Sequence, residues 1–129
     1  MSRHIHALTL VVPDYDQAIA FYVGKLGFTL VQDTKLDAAK RWVLIAPAPD
    51  AQTNILLARA ASPEQSNAIG NQTGGRVGFF LHSDDFDADY AHMLAQGVNF
   101  LEKPRSEPYA KVVVFQDPFG NKWDLLQSL

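Results

Sequence analysis

Thr9-Leu10-Val11-Val12-Pro13-Asp14-Tyr15-Asp16 and Phe80-Leu81-His82-Ser83-Asp84-Asp85-Phe86-Asp87 are two copies of one pattern, set 71 positions apart. In each copy an apolar run of strand character ends at an acidic pair flanking an aromatic residue. Each then passes into a helix-like stretch that stops at a glycine, Gly27 or Gly97. A unit repeated in both halves of a chain predicts an architecture of two alike modules.

Working outward from the first copy, His4 to Val12 has β-rich composition, and Pro13 ends the strand because it offers no N–H to a ladder. Asp14 is placed to cap the following helix, with Gln17 as its capping-box partner. Ala18, Phe21, Tyr22 and Leu26 recur at helical spacing up to the stop at Gly27. Phe28 to Gln32, Arg41 to Ala46 and Asn54 to Ala58 then read as strands between polar or proline-containing turns. The second half repeats the order. Arg76 to His82 is a strand, and Asp85 to Gln96 a helix with Phe86, Tyr90, Met93 and Leu94 on one side. Strands follow at Asn99 to Glu102, Ala110 to Gln116 and Lys122 to Gln127. Each half is therefore βαβββ. The expected organisation is one α+β domain over residues 1–129, with modules at about 4–60 and 75–128. The Ser-, Asn-, Gln- and Gly-rich stretch 62–75 joins them.

Composition excludes several functions. With 129 residues, 47% apolar and 19% charged, the chain suits one soluble globular domain with its own core. The absence of cysteine removes disulfides, thiolate ligands and cysteine nucleophiles, and the expected setting is cytoplasmic. A net charge of -3 and a pI near 5.7 leave no basic footprint for nucleic acid. The apolar run Ala7 to Val12 is too short to cross a bilayer, and Pro13-Asp14 follows it instead of a cleavage site, so neither membrane insertion nor export is expected. Gly70, Gly74 and Gly75 lie in a polar stretch and do not form a phosphate-binding loop between strand and helix. No serine occupies a nucleophile elbow. The acidic run Asp84, Asp85, Asp87 and Asp89 falls at a helix start, where it offsets the helix dipole; its spacing is not that of a calcium loop.

Phe21-Tyr22 with Leu26-Gly27-Phe28, and Asp117-Pro118-Phe119-Gly120-Asn121 before the last strand, give a specific resemblance. The chain resembles the vicinal oxygen chelate superfamily, the group of glyoxalase I, extradiol dioxygenases, epoxide-opening fosfomycin resistance enzymes and bleomycin-binding proteins. The similarity runs from His6 to Leu126. It implies paired βαβββ modules forming curled mixed sheets around a cleft, often completed by a second subunit as a homodimer. Metal-dependent members of the family place His, Gln or Glu ligands on the first and last strand of each module. Counting from the shared landmarks, those positions fall here on Ala7, Leu56, Gly78 and Asp124. Three of the four lack any donor atom, so the expectation is no metal and no cofactor, and the glyoxalase I mechanism is not carried over. His6, one residue from Ala7, belongs to the opposite face with Leu8 and Leu10 unless a bulge shifts the register.

The remaining candidates are ligand-binding residues. His82 shares the parity of Gly78 and Phe80, which places it on the cleft face as a hydrogen-bonding or acid–base group. Asp124 stands on an otherwise apolar strand and requires a partner: a ligand, or an internal cation such as Arg41, Arg76 or Lys111. Of Arg41-Trp42, the tryptophan is expected against the helix and the arginine in the cleft, facing an anionic group. Phe80, Val113 and Phe115 are expected as apolar walls, and Tyr109 as a cover over the cleft mouth. These residues point to a metal-free small-molecule-binding protein of the glyoxalase/bleomycin-resistance type. The alternative is a metal-dependent glyoxalase-like lyase or isomerase with an atypical site drawn from His6, His82 or Asp124.

Overall fold

The computed structural model describes residues Met1–Leu129, which divide into two compact units, Met1–Ile69 and Gly70–Leu129. The first unit contains β1 (Ala7–Val12), α1 (Tyr15–Ile19), a π-helical continuation (Ala20–Lys25), β2 (Thr29–Lys35), β3 (Arg41–Ala46), β4 (Asn54–Arg59) and α2 (Pro63–Ala68). Its sheet has the order β1-β4-β3-β2, with β1 parallel to β4 and the other pairs antiparallel. The second unit contains β5 (Phe79–His82), α3 (Phe86–Ala95), β6 (Asn99–Phe100), β7 (Arg105–Ser106), β8 (Ala110–Gln116) and β9 (Lys122–Ser128). Its sheet runs β5-β9-β8-β6, with β7 also paired to β8, and β5 is parallel to β9. Both units thus form mixed sheets of an α+β fold, as the repeat predicts.

Local chemistry sets the helix ends. The Asp14 carboxylate accepts from Gln17 N–H at 2.8 Å, and the Asp85 carboxylate accepts from Ala88 N–H at 3.2 Å. Each supplies an acceptor to a donor that has no partner within the helix. Gly27 and Gly97 both take φ near +79°, which a side chain would resist. The closing bonds run from Phe28 N–H to the Tyr22 carbonyl and from Val98 N–H to the Met93 carbonyl. Between α1 and Gly27 the wider π turn is marked by the bond from Leu26 N–H to the Phe21 carbonyl.

The first unit buries Leu10, Val12, Val43, Ile45 and Leu57 with Ala18, Phe21 and Tyr22 of the helical segment. In the second, an aromatic stack fills the space beneath α3. Trp123 stacks on Phe79 at 4.4 Å and on Phe115 at 5.7 Å, and Phe115 meets Phe100 edge-on at 6.2 Å. Such ring pairs add packing specificity to apolar burial. The turn before β9 is tied by Asp117, which is buried. Its Oδ1 accepts from Phe119 and Asn121 N–H at 2.9 and 2.8 Å, and its Oδ2 accepts from the Asn121 amide at 2.6 Å.

Several elements differ from the sequence expectation. The first strand begins at Ala7 and the fifth at Phe79, each three residues later than composition suggests. Within 62–75, Ser62 caps a short helix whose first residue is Pro63, by accepting from Gln65 N–H at 3.2 Å. A short strand, β7, intervenes at Arg105–Ser106. Leu94 is 54% exposed and does not share the buried side of α3 with Phe86 and Met93.

Candidate functional site

The site develops on the face of the second sheet that turns away from α3. Register decides which side chains share it. Phe80 pairs with Asp124 and His82 with Leu126 across β5 and β9, while Val114 pairs with Asp124 and Val112 with Leu126 across β8 and β9. Partners in register point to one side of a sheet. Phe80, His82, Val112, Val114, Asp124 and Leu126 therefore share a face. The alternate positions Val113, Phe115, Trp123 and Leu125 point the other way, into the core under α3. Lys111, of the same parity, confirms that direction by binding Asp87 of α3 and lying 5.2 Å from the Phe86 ring.

Val113 and Phe115, expected as cleft walls, are thus core residues, both completely buried. Phe80 stays on the open face and is 66% exposed. His82 is beside it at the strand end, with Nδ1 3.9 Å from the Asp84 carboxylate and its side chain half exposed. Tyr109 is exposed, and after Glu102 and Glu107 it adds to the groups that hold the proton on the Arg105 guanidinium.

Asp124 has an unusual environment. Its Oδ1 is buried and has no hydrogen-bond partner. Burial pushes the carboxyl upward from its ordinary range, the Arg105 charge opposes that rise, and Glu102 adds to it. Arg105 is itself held by Glu102 at 2.9 Å and Glu107 at 2.6 Å, which keep its guanidinium protonated far above neutrality. The internal cations suggested by sequence do not bond it: Arg41 and Lys111 are engaged elsewhere, and no ion pair joins Arg76 to it. The Glu102-Arg105-Glu107 network was not foreseen. Its alternation of charge in the turn-rich stretch before β8 was the available signal.

Arg41 and Trp42 are inverted relative to expectation. Arg41 faces α1, where its guanidinium binds Asp33 at 2.7 Å and Asp16 at 2.9 Å and lies 5.1 Å from the Tyr15 ring centroid. Its backbone N–H donates to the Tyr15 hydroxyl at 3.2 Å. Hydrogen bonding to Arg41 holds the Asp33 carboxyl below its usual range. Trp42, paired with Thr34, occupies the face turned away from α1.

The four positions at which metal-dependent relatives carry ligands can now be tested. Ala7, Leu56, Gly78 and Asp124 supply one carboxylate among them. A side chain at position 78 would place its Cβ 2.8 Å from a Thr73 methyl, so Thr73 would have to shift to admit a ligating residue there. The β1–β4 register runs from Ala7↔Asn54 to Val12↔Arg59 without a shift, and no bulge turns His6 toward Ala7's side. No three His, Cys, Asp or Glu side chains gather to hold a metal ion. This donor set does not fit a divalent cation.

The sequence matches the profile of the Glyoxalase/Bleomycin resistance protein/Dioxygenase superfamily over residues 4–125. The chain belongs to that superfamily. A Shewanella frigidimarina protein is 49% identical over 128 residues, covering 98% of this chain and 95% of that one. A 2-epi-5-epi-valiolone epimerase from an Actinomyces species is 31% identical, covering 95% of this chain and 78% of the epimerase. Among solved structures, TnmS3, an antibiotic binding protein from a Streptomyces species, superposes with a TM-score of 0.80 at 30% identity, covering 99% of this chain and 98% of that one. The superfamily shares a scaffold across different activities, so chemistry must be argued from the site. No helix is long and apolar enough to cross a membrane.

Proposed function

We propose that this superfamily member is a metal-free small-molecule-binding protein whose ligand lies on the sheet face around Asp124. One observation carries the reading: the buried, unpartnered Oδ1 of Asp124 beside the exposed ring of Phe80. An unsatisfied buried acceptor is costly to keep, and a ligand that donates to it, through ammonium, amide or hydroxyl, removes that cost on binding. Phe80 supplies an aromatic wall, Val114 and Leu126 the apolar floor, and His82 and Tyr109 polar groups at the rim. This is the composition small-molecule sites favour. Similarity to an antibiotic-binding protein supports the same class of activity.

A thermal-shift screen of cationic and donor-rich aromatic compounds tests the reading. A stabilising compound should lose its effect in Asp124→Ala and Phe80→Ala; equal stabilisation of both variants would remove the site. We propose further that the chain functions in the cytoplasm as a homodimer. The outer strand β2 is exposed along nearly its whole length and carries Leu30 and Val31 at 40% and 47% exposure. Pairing with a second copy covers surface of this kind.

Similarity to the epimerase favours the isomerase form of a second reading, a glyoxalase-like lyase or isomerase whose metal site would have to be atypical. Metal analysis of untagged protein separates the two, because a stoichiometric divalent ion belongs only to the enzyme.

A further inference from the structure

The edge of the second sheet carries a charged clamp close to Asp124. Arg105 pairs with Val112 across β7 and β8, and Val112 pairs with Leu126 across β8 and β9. The Arg105 side chain therefore stands on the open face, one row along from Asp124. Two strand spacings, about 10 Å between chain axes, separate β7 from β9. Burial raises the Asp124 carboxyl, and the Arg105 charge, acting across that distance, pulls against it. The Asp124 Oδ1 is buried without a partner, and a free guanidinium at this range would be drawn to it, because a charge-assisted bond to a carboxylate is among the strong ones.

Arg105 is not free. Glu102 accepts from its Nε with both carboxylate oxygens, at 3.2 and 2.9 Å, and Glu107 accepts from its Nη1 at 2.6 Å. Glu102 Oε2 also accepts from the N–H of Val114, the β8 partner of Asp124, at 3.4 Å. The clamp is thus tied to the strand beside the site. All three side chains are partly buried, which screens their attraction less than at an open surface. The other cationic groups on this face are engaged elsewhere. Lys122, of the same parity as Asp124, donates to the Gly75 carbonyl at 3.3 Å, and His82 lies 3.9 Å from Asp84. Arg105 is the cation placed to neutralise Asp124, and two carboxylates hold it back.

We infer that Glu102 and Glu107 are positioning residues that withhold Arg105 from Asp124, and so keep open the oxygen that, on the reading of Asp124 as the ligand's anchor, receives the ligand's donor. Arg105 is a built-in competitor for that place. With the clamp intact the oxygen faces an incoming donor. With the clamp removed the guanidinium fills it and the site closes on itself.

Carbon-13 NMR of the Asp124 carboxyl across pH tests this in protein without added ligand, with Asp124→Asn assigning the signal. In Glu102→Ala/Glu107→Ala the Asp124 pKa should fall by more than about one pH unit, the lower end of the effect of a contacting cation. The same pair of substitutions made on Arg105→Gln should lower it by less than about half as much, because only the distant Glu102 charge is then lost. Glu102→Gln/Glu107→Gln, which keeps an acceptor for the Val114 N–H, should show the same dependence on Arg105 at smaller size. Equal falls with and without Arg105 would overturn the inference, since the two carboxylates would then act as charges alone; so would a pKa unchanged or raised in the double variants. Matching amide spectra verify that the compared proteins are folded alike. A failed ligand screen leaves the titration result as it is, and equal falls would leave the ligand site itself standing.

Discussion

Replacing Asp124 with leucine should make this protein more stable at neutral pH. In the repeated architecture, Asp124 on β9 faces Phe80 as Leu56 on β4 faces Thr9, so leucine already stands at the equivalent place in the first unit. An unsatisfied buried polar group costs roughly 1–3 kcal/mol, and the partial solvent access of Asp124 sets its case at the low end, about 1 kcal/mol. For a chain of this size the gain corresponds to a midpoint rise of about 4 °C. The pH dependence isolates the charge. Burial raises the folded-state pKa above 3.8, so as pH climbs from 3.8 through that raised value the folded protein retains a proton the unfolded chain has released. Wild-type stability falls across this window and the penalty is complete above it. The leucine variant lacks this contribution. Its advantage in urea unfolding should be full at pH 7, shrink as pH falls through the raised pKa, and reach its minimum once pH is below 3.8. A leucine variant less stable than wild type at pH 7, or an advantage independent of pH, would refute the description of Asp124 as a half-buried carboxylate with one unpartnered oxygen.

Asp117→Ala should destabilise by about 3 kcal/mol in the same assay, because it strips acceptors from the buried turn that leads into β9. Arg41→Met should cost about 1 kcal/mol through loss of the Asp16, Asp33 and Tyr15 contacts, with no change in the binding of a ligand at Asp124. Light scattering at micromolar concentration should give twice the 14.3 kDa chain mass, and a value equal to the chain mass would contradict the proposed homodimer.

Much of the fold was legible because local signals agreed with one another. Asp14 and Asp85 cap as their positions imply, Gly27 and Gly97 close the helical segments, and Arg41–Ala46 and Ala110–Gln116 are strands with the expected bounds. Facing was harder to read. Val112, Val113 and Val114 form a continuous β-branched run without polar alternation, so the sequence carried no mark of which valines meet α3. The side taken by Arg41 has no local signal, because its partners, Tyr15, Asp16 and Asp33, come from other elements and become neighbours only after folding. The short helix Pro63–Ala68 had a readable Ser62-Pro63 start, masked by the polar composition around it. At the candidate site, the shared face of Phe80 and His82 followed from strand parity, and Asp124 was placed there by the family's ligand positions. The charges that act on Asp124 did not, since Glu102 and Arg105 approach from the turn-rich segment on the far side of β8.

Calorimetric titration of a ligand from the thermal-shift screen into protein held in excess chelator tests the central claim most directly. Affinity should be the same with and without chelator, and binding should be lost in Asp124→Ala under both conditions. Binding that disappears with the chelator and returns on adding a stoichiometric divalent ion would contradict it.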